Sequence, residues 1–241
     1  MSTSTKITRV FALSVCLMIS ISSTAMAQNS LHDTMPPVEH EPSVYVDGNT
    51  VTAFGVNVIT PDGVHFAKDG IEIDLREAGQ STENNQTALT EEIIKSTMTS
   101  SHQSPGVVVR NGRLFGFGVK IVGQRGAVVY AGKESETGAL DGSTVHAMLG
   151  SVVFAGKGST VIAHAGSTVQ GLKDSKITAK WGSYVIADAE SEVIAEKGST
   201  IRAMYGGTVK AKSGSTVYAE PGSAVEAEAG SQVIPSDAQP F

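Results

Sequence analysis

Gly158-Ser159-Thr160-Val161-Ile162-Ala163-His164-Ala165 is one complete copy of an eight-residue phrase, and Gly166-Ser167-Thr168-Val169 starts the next. The phrase reads Gly-Ser-Thr-Val-x-Ala-x-x and runs twelve times over residues 142–237. Position 4 is Val or Ile in all twelve copies, and position 2 is Ser in eleven, Gly207 being the exception. Position 1 is Gly in ten and position 6 is Ala in ten. A fixed short period means stacked units, each too small to bury a face alone.

Strand side chains alternate between faces. Positions 2, 4 and 6 therefore share one face, near-constant and small enough to point inward. Positions 3 and 5 share the other. Position 5 holds His146, Phe154, Gln170, Thr178, Arg202, Lys210 and Glu226, a variety that belongs to solvent. Gly at position 1 supplies the backbone angles of a corner. The inward Ser hydroxyl is expected to bond corner backbone groups that the strand ladder leaves unpaired. A helix is excluded, because eight is not a helical core period and Gly-Ser in every octad would break each helix. The fold class is thus all-β, a β-solenoid (β-helix) of octapeptide repeats.

Coil size follows from charges. Aligned residues of neighbouring coils lie over one another, so opposite charges there attract. At a spacing of 16, Lys180, Glu196, Lys212 and Glu228 form an alternating ladder, and Lys176–Glu192 and Lys210–Glu226 are opposite. Lys157–Lys173 and Asp174–Glu190 oppose that spacing. A spacing of 24 gains only Asp188–Lys212 and Arg202–Glu226, against Lys173–Lys197 and Glu196–Glu220. The balance favours 16 residues per coil.

The repeat Ala163-His164-Ala165-Gly166-Ser167-Thr168 resembles the octapeptide array of bacterial ice-nucleation proteins. The resemblance covers about half the chain and implies a β-solenoid of 16-residue coils. It also implies ice binding through outward Thr-x-Thr ladders at positions 3 and 5. Position 3 is Thr in six copies, but position 5 is Thr only at Thr178, where position 3 is Lys176. The one Thr-x-Thr match, Thr50-Val51-Thr52, lies far upstream. A hydroxyl lattice interrupted by Lys176, Glu192, Lys210 and Glu226 is expected to order ice poorly.

Outside the array, residues 1–27 read as a signal peptide. Lys6 and Arg9 form a basic region, Val10 to Ile21 an apolar one too short to span a membrane, and Ala25-Met26-Ala27 a cleavage site. The only cysteine, Cys16, falls inside this segment. The mature chain therefore has no thiol, hence no disulfide or Cys-ligated metal. Without Lys6 and Arg9 it has 16 basic and 24 acidic residues, a net charge of −8. That balance argues against nucleic acid, which needs a basic stripe. No second apolar stretch reaches membrane-spanning length. Residues 28–42 read as a flexible lead. Residues 43–76 form an irregular β segment of early coils or of hairpins through Asp47-Gly48 and Asp62-Gly63. Residues 77–111 are a polar linker or insertion, with one short helix expected over Glu91 to Met98. The solenoid spans residues 112–237, and residues 238–241 form a C-terminal tail.

Catalytic chemistry is not evident. The histidines show no metal spacing; His146 and His164 stand 18 apart and read as solvent-facing. No cofactor or metal is expected. A glycan-processing β-helix would need clustered acids, and only Lys176, Glu192 and Arg202 could be pressed into that role. The surface hint is a set of outward apolar or hydroxyl residues: Phe154, Ile162, Thr168, Tyr184, Ile186, Ile194 and Tyr218. In 16-residue coils Thr168, Tyr184 and Ile186 share one face, while Ile162 and Ile194 share the other. Such a face suits an envelope component, a glycan or protein ligand, or self-association. The sequence therefore reads as an exported structural or adhesive solenoid in the periplasm, on the cell surface or outside the cell. The alternatives are an ice-binding protein and a glycan-processing enzyme.

Cleavage after Ala27 should leave Gln28 as the mature N-terminus. N-terminal sequencing of the exported fraction tests this; an exported chain that keeps Met1 would refute it.

Overall fold

The computed structural model describes residues 42–60, 63–68, 70–76, 106–110 and 113–236. The expected signal peptide, most of the lead, the helix over Glu91 to Met98 and the C-terminal tail lie outside the described residues. The first strands are β1 (Ser43–Asp47), β2 (Thr50–Phe54), β3 (Asn57–Thr60), β4 (Gly63–Phe66), β5 (Ile71–Asp74), β6 (Gly106–Arg110) and β7 (Arg113–Phe117). There follow β8 (Lys120–Gln124), β9 (Val128–Ala131), β10 (Glu136–Ala139), β11 (Thr144–Ala147), β12 (Val152–Ala155), β13 (Thr160–Ala163), β14 (Thr168–Gly171) and β15 (Lys176–Ala179). The chain continues through β16 (Tyr184–Ala187), β17 (Glu192–Ala195), β18 (Thr200–Ala203), β19 (Thr208–Ala211), β20 (Thr216–Ala219), β21 (Ala224–Ala227) and β22 (Gln232–Pro235).

From β8 onward each octad gives one strand, and alternate strands pair in parallel. Even-numbered strands from β8 to β22 build sheet A, and odd-numbered strands from β7 to β21 build sheet B. Partners are 16 residues apart, as in Val145↔Val161 and Val169↔Val185. The coil therefore holds 16 residues and two faces. Each sheet has eleven strands, which at about 4.8 Å per strand makes a rod roughly 48 Å long.

The inside and outside follow the alternation. Val145, Val153, Val161, Val169, Val185 and Val209 are fully buried, and the position-6 alanines lie beside them. Stacked Val and Ala layers from the two sheets form one continuous core. Position 2 is also inside: Ser159, Ser167 and Ser199 are only 1% exposed. Their hydroxyls donate to the carbonyl three residues back, Ser159 Oγ to Gly156 O at 2.7 Å and Ser199 Oγ to Glu196 O at 2.6 Å. A buried hydroxyl and a corner carbonyl thus satisfy each other.

The corner is a tight turn in which the Ser N–H bonds the same carbonyl, Ser159 N to Gly156 O at 3.1 Å. Gly158 stands third in this turn with φ +71°, the sign that a type II turn requires there. Asp174 and Glu190 hold the same left-handed conformation without being glycine, at φ 59° and 62°. At Gly198 two demands coincide. Its φ is +75°, and a Cβ there would collide with the Trp181 ring of the preceding coil. The corner carries the ladder onward too, as Gly182 N donates to Gly198 O and Gly198 N to Gly214 O. Few backbone groups are left for water to satisfy. The turn before Ser143 differs, since both Asp141 and Gly142 have positive φ. There the Ser143 hydroxyl finds no partner.

The upstream end is built from hairpins. β1–β2, β3–β4 and β6–β7 pair antiparallel, and β2 pairs antiparallel with β5. Of the two readings open for residues 43–76, hairpins are what form, with Asp47 opposite Thr50 around Gly48-Asn49. Residues 106–110, placed by composition at the end of the linker, are strand β6 of sheet B. Their Val107-Val108-Val109 run outweighs the polar stretch before it, and all three valines are buried. The downstream end stops at β21 and β22. There Pro235 lies in register with Ala219, and its missing N–H falls where an edge donor would stand.

Val161→Asp should be severely destabilising, by several kcal/mol, because it strands a charge between Val layers. Lys210→Asp should change stability by no more than about 1 kcal/mol. Equal thermal shifts for the two would reverse this inside-outside assignment. Thr137 sits where other coils have Val or Ile; it is fully buried and its hydroxyl is unpartnered. Thr137→Val should therefore raise stability by about 1 kcal/mol in chemical denaturation.

Candidate functional site

The two outer faces differ in chemistry. On sheet A, position 5 forms the column Phe154, Gln170, Ile186, Arg202, Tyr218. Position 3 beside it forms Val152, Thr168, Tyr184, Thr200, Thr216. One charge stands in these two columns, and it is tied down: Arg202 Nη2 and Nε donate to Glu220 Oε1 at 2.8 and 3.2 Å. Gln170 Nε2 donates to Asp188 Oδ2 at 2.6 Å. What remains outward is aromatic, aliphatic and hydroxyl.

Sheet B carries charge in both columns. Position 3 passes from Thr160 to Lys176, Glu192 and Thr208, and position 5 from Ile162 to Thr178, Ile194, Lys210 and Glu226. Of the seven surface residues singled out from the sequence, Phe154, Thr168, Tyr184, Ile186 and Tyr218 stand on sheet A, and Ile162 and Ile194 on sheet B. Thr168, Tyr184 and Ile194 are exposed; the other four are half-buried by neighbours in their columns. The glycan-processing trio does not assemble: Lys176 and Glu192 lie on sheet B, Arg202 on sheet A. Adjacent threonines at position 3 reach two rungs and no more, Thr144–Thr160 on one face and Thr200–Thr216 on the other.

A recurring diagonal links the coils. Position 5 of one octad reaches position 7 two octads on, a separation of 18 residues, in Arg202–Glu220, Gln170–Asp188 and His146–His164. Charge ladders at a spacing of 16 do not register such pairs. Lys212 Nζ and Glu196 Oε1 do lie in the expected ladder, 3.9 Å apart. Lys173, by contrast, turns to Glu190 at 2.7 Å, relieving both like-charge steps counted against the 16-residue coil. Glu190 and this hydrogen bond hold the Lys173 ammonium above its ordinary pKa.

The histidine diagonal corrects the reading of isolated, solvent-facing rings. Near the start of sheet B, Phe115, Tyr130 and His146 stack with centroids 4.6 and 4.4 Å apart. His164 extends the stack at 5.7 Å, and the Arg113 guanidinium stands 5.7 Å from the Tyr130 ring. His146 Nδ1 and His164 Nε2 are 3.4 Å apart. Partial burial, then His164, Arg113 and Lys180, push the His146 pKa down. Burial and then Lys180 do the same for His164. Both rings are therefore neutral near pH 7. Spacing alone hid the pair, because 18 is neither the coil period nor a local metal motif.

Among the described residues no helix is long and apolar enough to cross a membrane. Compared with known proteins, the chain matches no family model, no curated protein and no solved structure.

Lowered histidine pKa values mean that the unfolded chain takes up protons first as pH falls. Stability should be full above about pH 6.5 and decline as pH drops from there towards the lowered folded values. A His146→Gln/His164→Gln double variant should lose that part of the slope in thermal unfolding measured between pH 7 and pH 5.

Proposed function

We propose that this chain is an exported structural or adhesive protein whose solenoid presents sheet A as a repetitive contact surface. One observation carries the reading: the aromatic, aliphatic and hydroxyl columns of sheet A are nearly free of charge, while the same coils of sheet B carry alternating charge. A flat face of this kind loses little by giving up water, and Phe154, Tyr184, Ile186 and Tyr218 bring the large side chains that dominate contact surfaces. Its ligand is an envelope glycan or protein, or a second solenoid side by side. Export rests on the signal-peptide pattern of residues 1–27. Against the ice-binding alternative stand the two-rung threonine runs, too short to make a lattice.

Purified protein should bind native cell envelope, and Tyr184→Glu with Ile186→Glu should abolish that binding while Thr160→Glu on sheet B leaves it intact. Sedimentation velocity on the same variants reads self-association. Unchanged binding in the sheet A variant would assign the contact elsewhere. Freezing of water droplets should be unaffected by the protein, and nucleation would favour the ice-binding alternative.

A further inference from the structure

The His146–His164 pair has no part in the sheet A reading, since both rings belong to the sheet B side. Their facing nitrogens are 3.4 Å apart, long for a hydrogen bond. Two ligands each about 2.0–2.1 Å from a tetrahedral Zn(II) stand roughly 3.3 Å from one another. We propose that His146 Nδ1 and His164 Nε2 form a two-point site for a borderline divalent cation of the Zn(II) and Cu(II) class.

Imidazole nitrogens suit these metals. The bite is held by rigid elements rather than by loop flexibility. β11, which carries His146, and β13, which leads directly into His164, are hydrogen-bonded neighbours, with His164 N donating to Ala147 O at 2.8 Å. Tyr130 lies flat against His146, 4.4 Å away and 6° from parallel, which fixes that ring's plane. Metal binding needs a lone pair on each facing nitrogen, so the protons sit on His146 Nε2 and His164 Nδ1. The proton of the present contact moves to the far nitrogen of its own ring, and neutral rings release none on binding. Among the described residues no group of three His, Cys, Asp or Glu gathers, so water fills the remaining positions. Arg113 and Lys180 face the pair and oppose a cation, and they set its affinity below that of a closed structural site.

The test is calorimetric titration of the full chain with Zn(II) alone, with Cu(II) electron paramagnetic resonance as the spectroscopic readout. One site per chain is expected, with two nitrogen ligands in the Cu(II) spectrum and a thermal midpoint raised by the metal. His146→Gln and His164→Gln, close to histidine in size, should each weaken it by more than about tenfold, since even outer-shell partners are worth that much. Both variants should unfold normally without metal. Lys180→Glu should tighten the site, while combined His32→Gln, His40→Gln and His102→Gln should leave it unchanged. The proposal is overturned if Zn(II) does not bind, if either single variant binds like the wild type, or if binding vanishes with His32, His40 and His102 instead.

Discussion

Everything in this molecule depends on the hydrogen-bonded stacking of one 16-residue coil on the next. The ladder does not stop at the strands: Ser143 O accepts from Thr160 N, Ala147 O from His164 N, and the corner Gly166 N donates to Gly182 O. A coil that keeps its length keeps every bond; one that gained or lost a residue would turn its Val and Ala outward. This is why variation is confined to positions that leave the length unchanged. It is also why the core is simple. Each coil must place the same small volume above its neighbour, so Val and Ala recur where an irregular core would use mixed shapes.

The corner is where this constraint is most expensive to satisfy. Three features meet there, each local in sequence: a left-handed residue, a Ser hydroxyl directed back at the turn carbonyl, and a close approach by the preceding coil. Gly198 beneath Trp181 and Gly222 beneath Tyr205 show the third. Asp174 and Glu190 show that the left-handed residue can be other than glycine when the surrounding bonds hold it. At both ends of the rod the repeat gives way. Antiparallel hairpins close the upstream end and bury Ile73 and Leu75. Downstream the last coil leaves Val233 42% exposed, and Pro235 withholds an edge donor.

Because the core is invariant, individuality is pushed outward to positions 3, 5, 7 and 8. Two flat faces of equal geometry then acquire unequal chemistry, hydroxyl and aromatic on one and charged on the other. The diagonal between positions 5 and 7 adds a second level of order. It ties Arg202, Gln170 and His146 to partners one coil onward, so the surface is organised across rungs as well as along columns.

The sequence by itself determined the octad, the inward and outward positions, the corner glycines and, through opposed charges, the 16-residue coil. These are legible because each rests on a local or strictly periodic constraint: alternation along a strand, φ > 0 at a turn, charge above charge. Which surface residues share a face followed from the same period, so Thr168, Tyr184 and Ile186 could be grouped in advance. Only the tertiary structure decided the rest. The slant by which a side chain at position 5 reaches position 7 of the next coil depends on rotamers and on neighbour size, not on spacing. That is why His146 met His164 unannounced and Lys173 chose Glu190. The strand at Gly106–Arg110 and the antiparallel pairing of the first hairpins were likewise settled by long-range partners, β3 and β7 for the one and β8 for the other, since no period exists there to read.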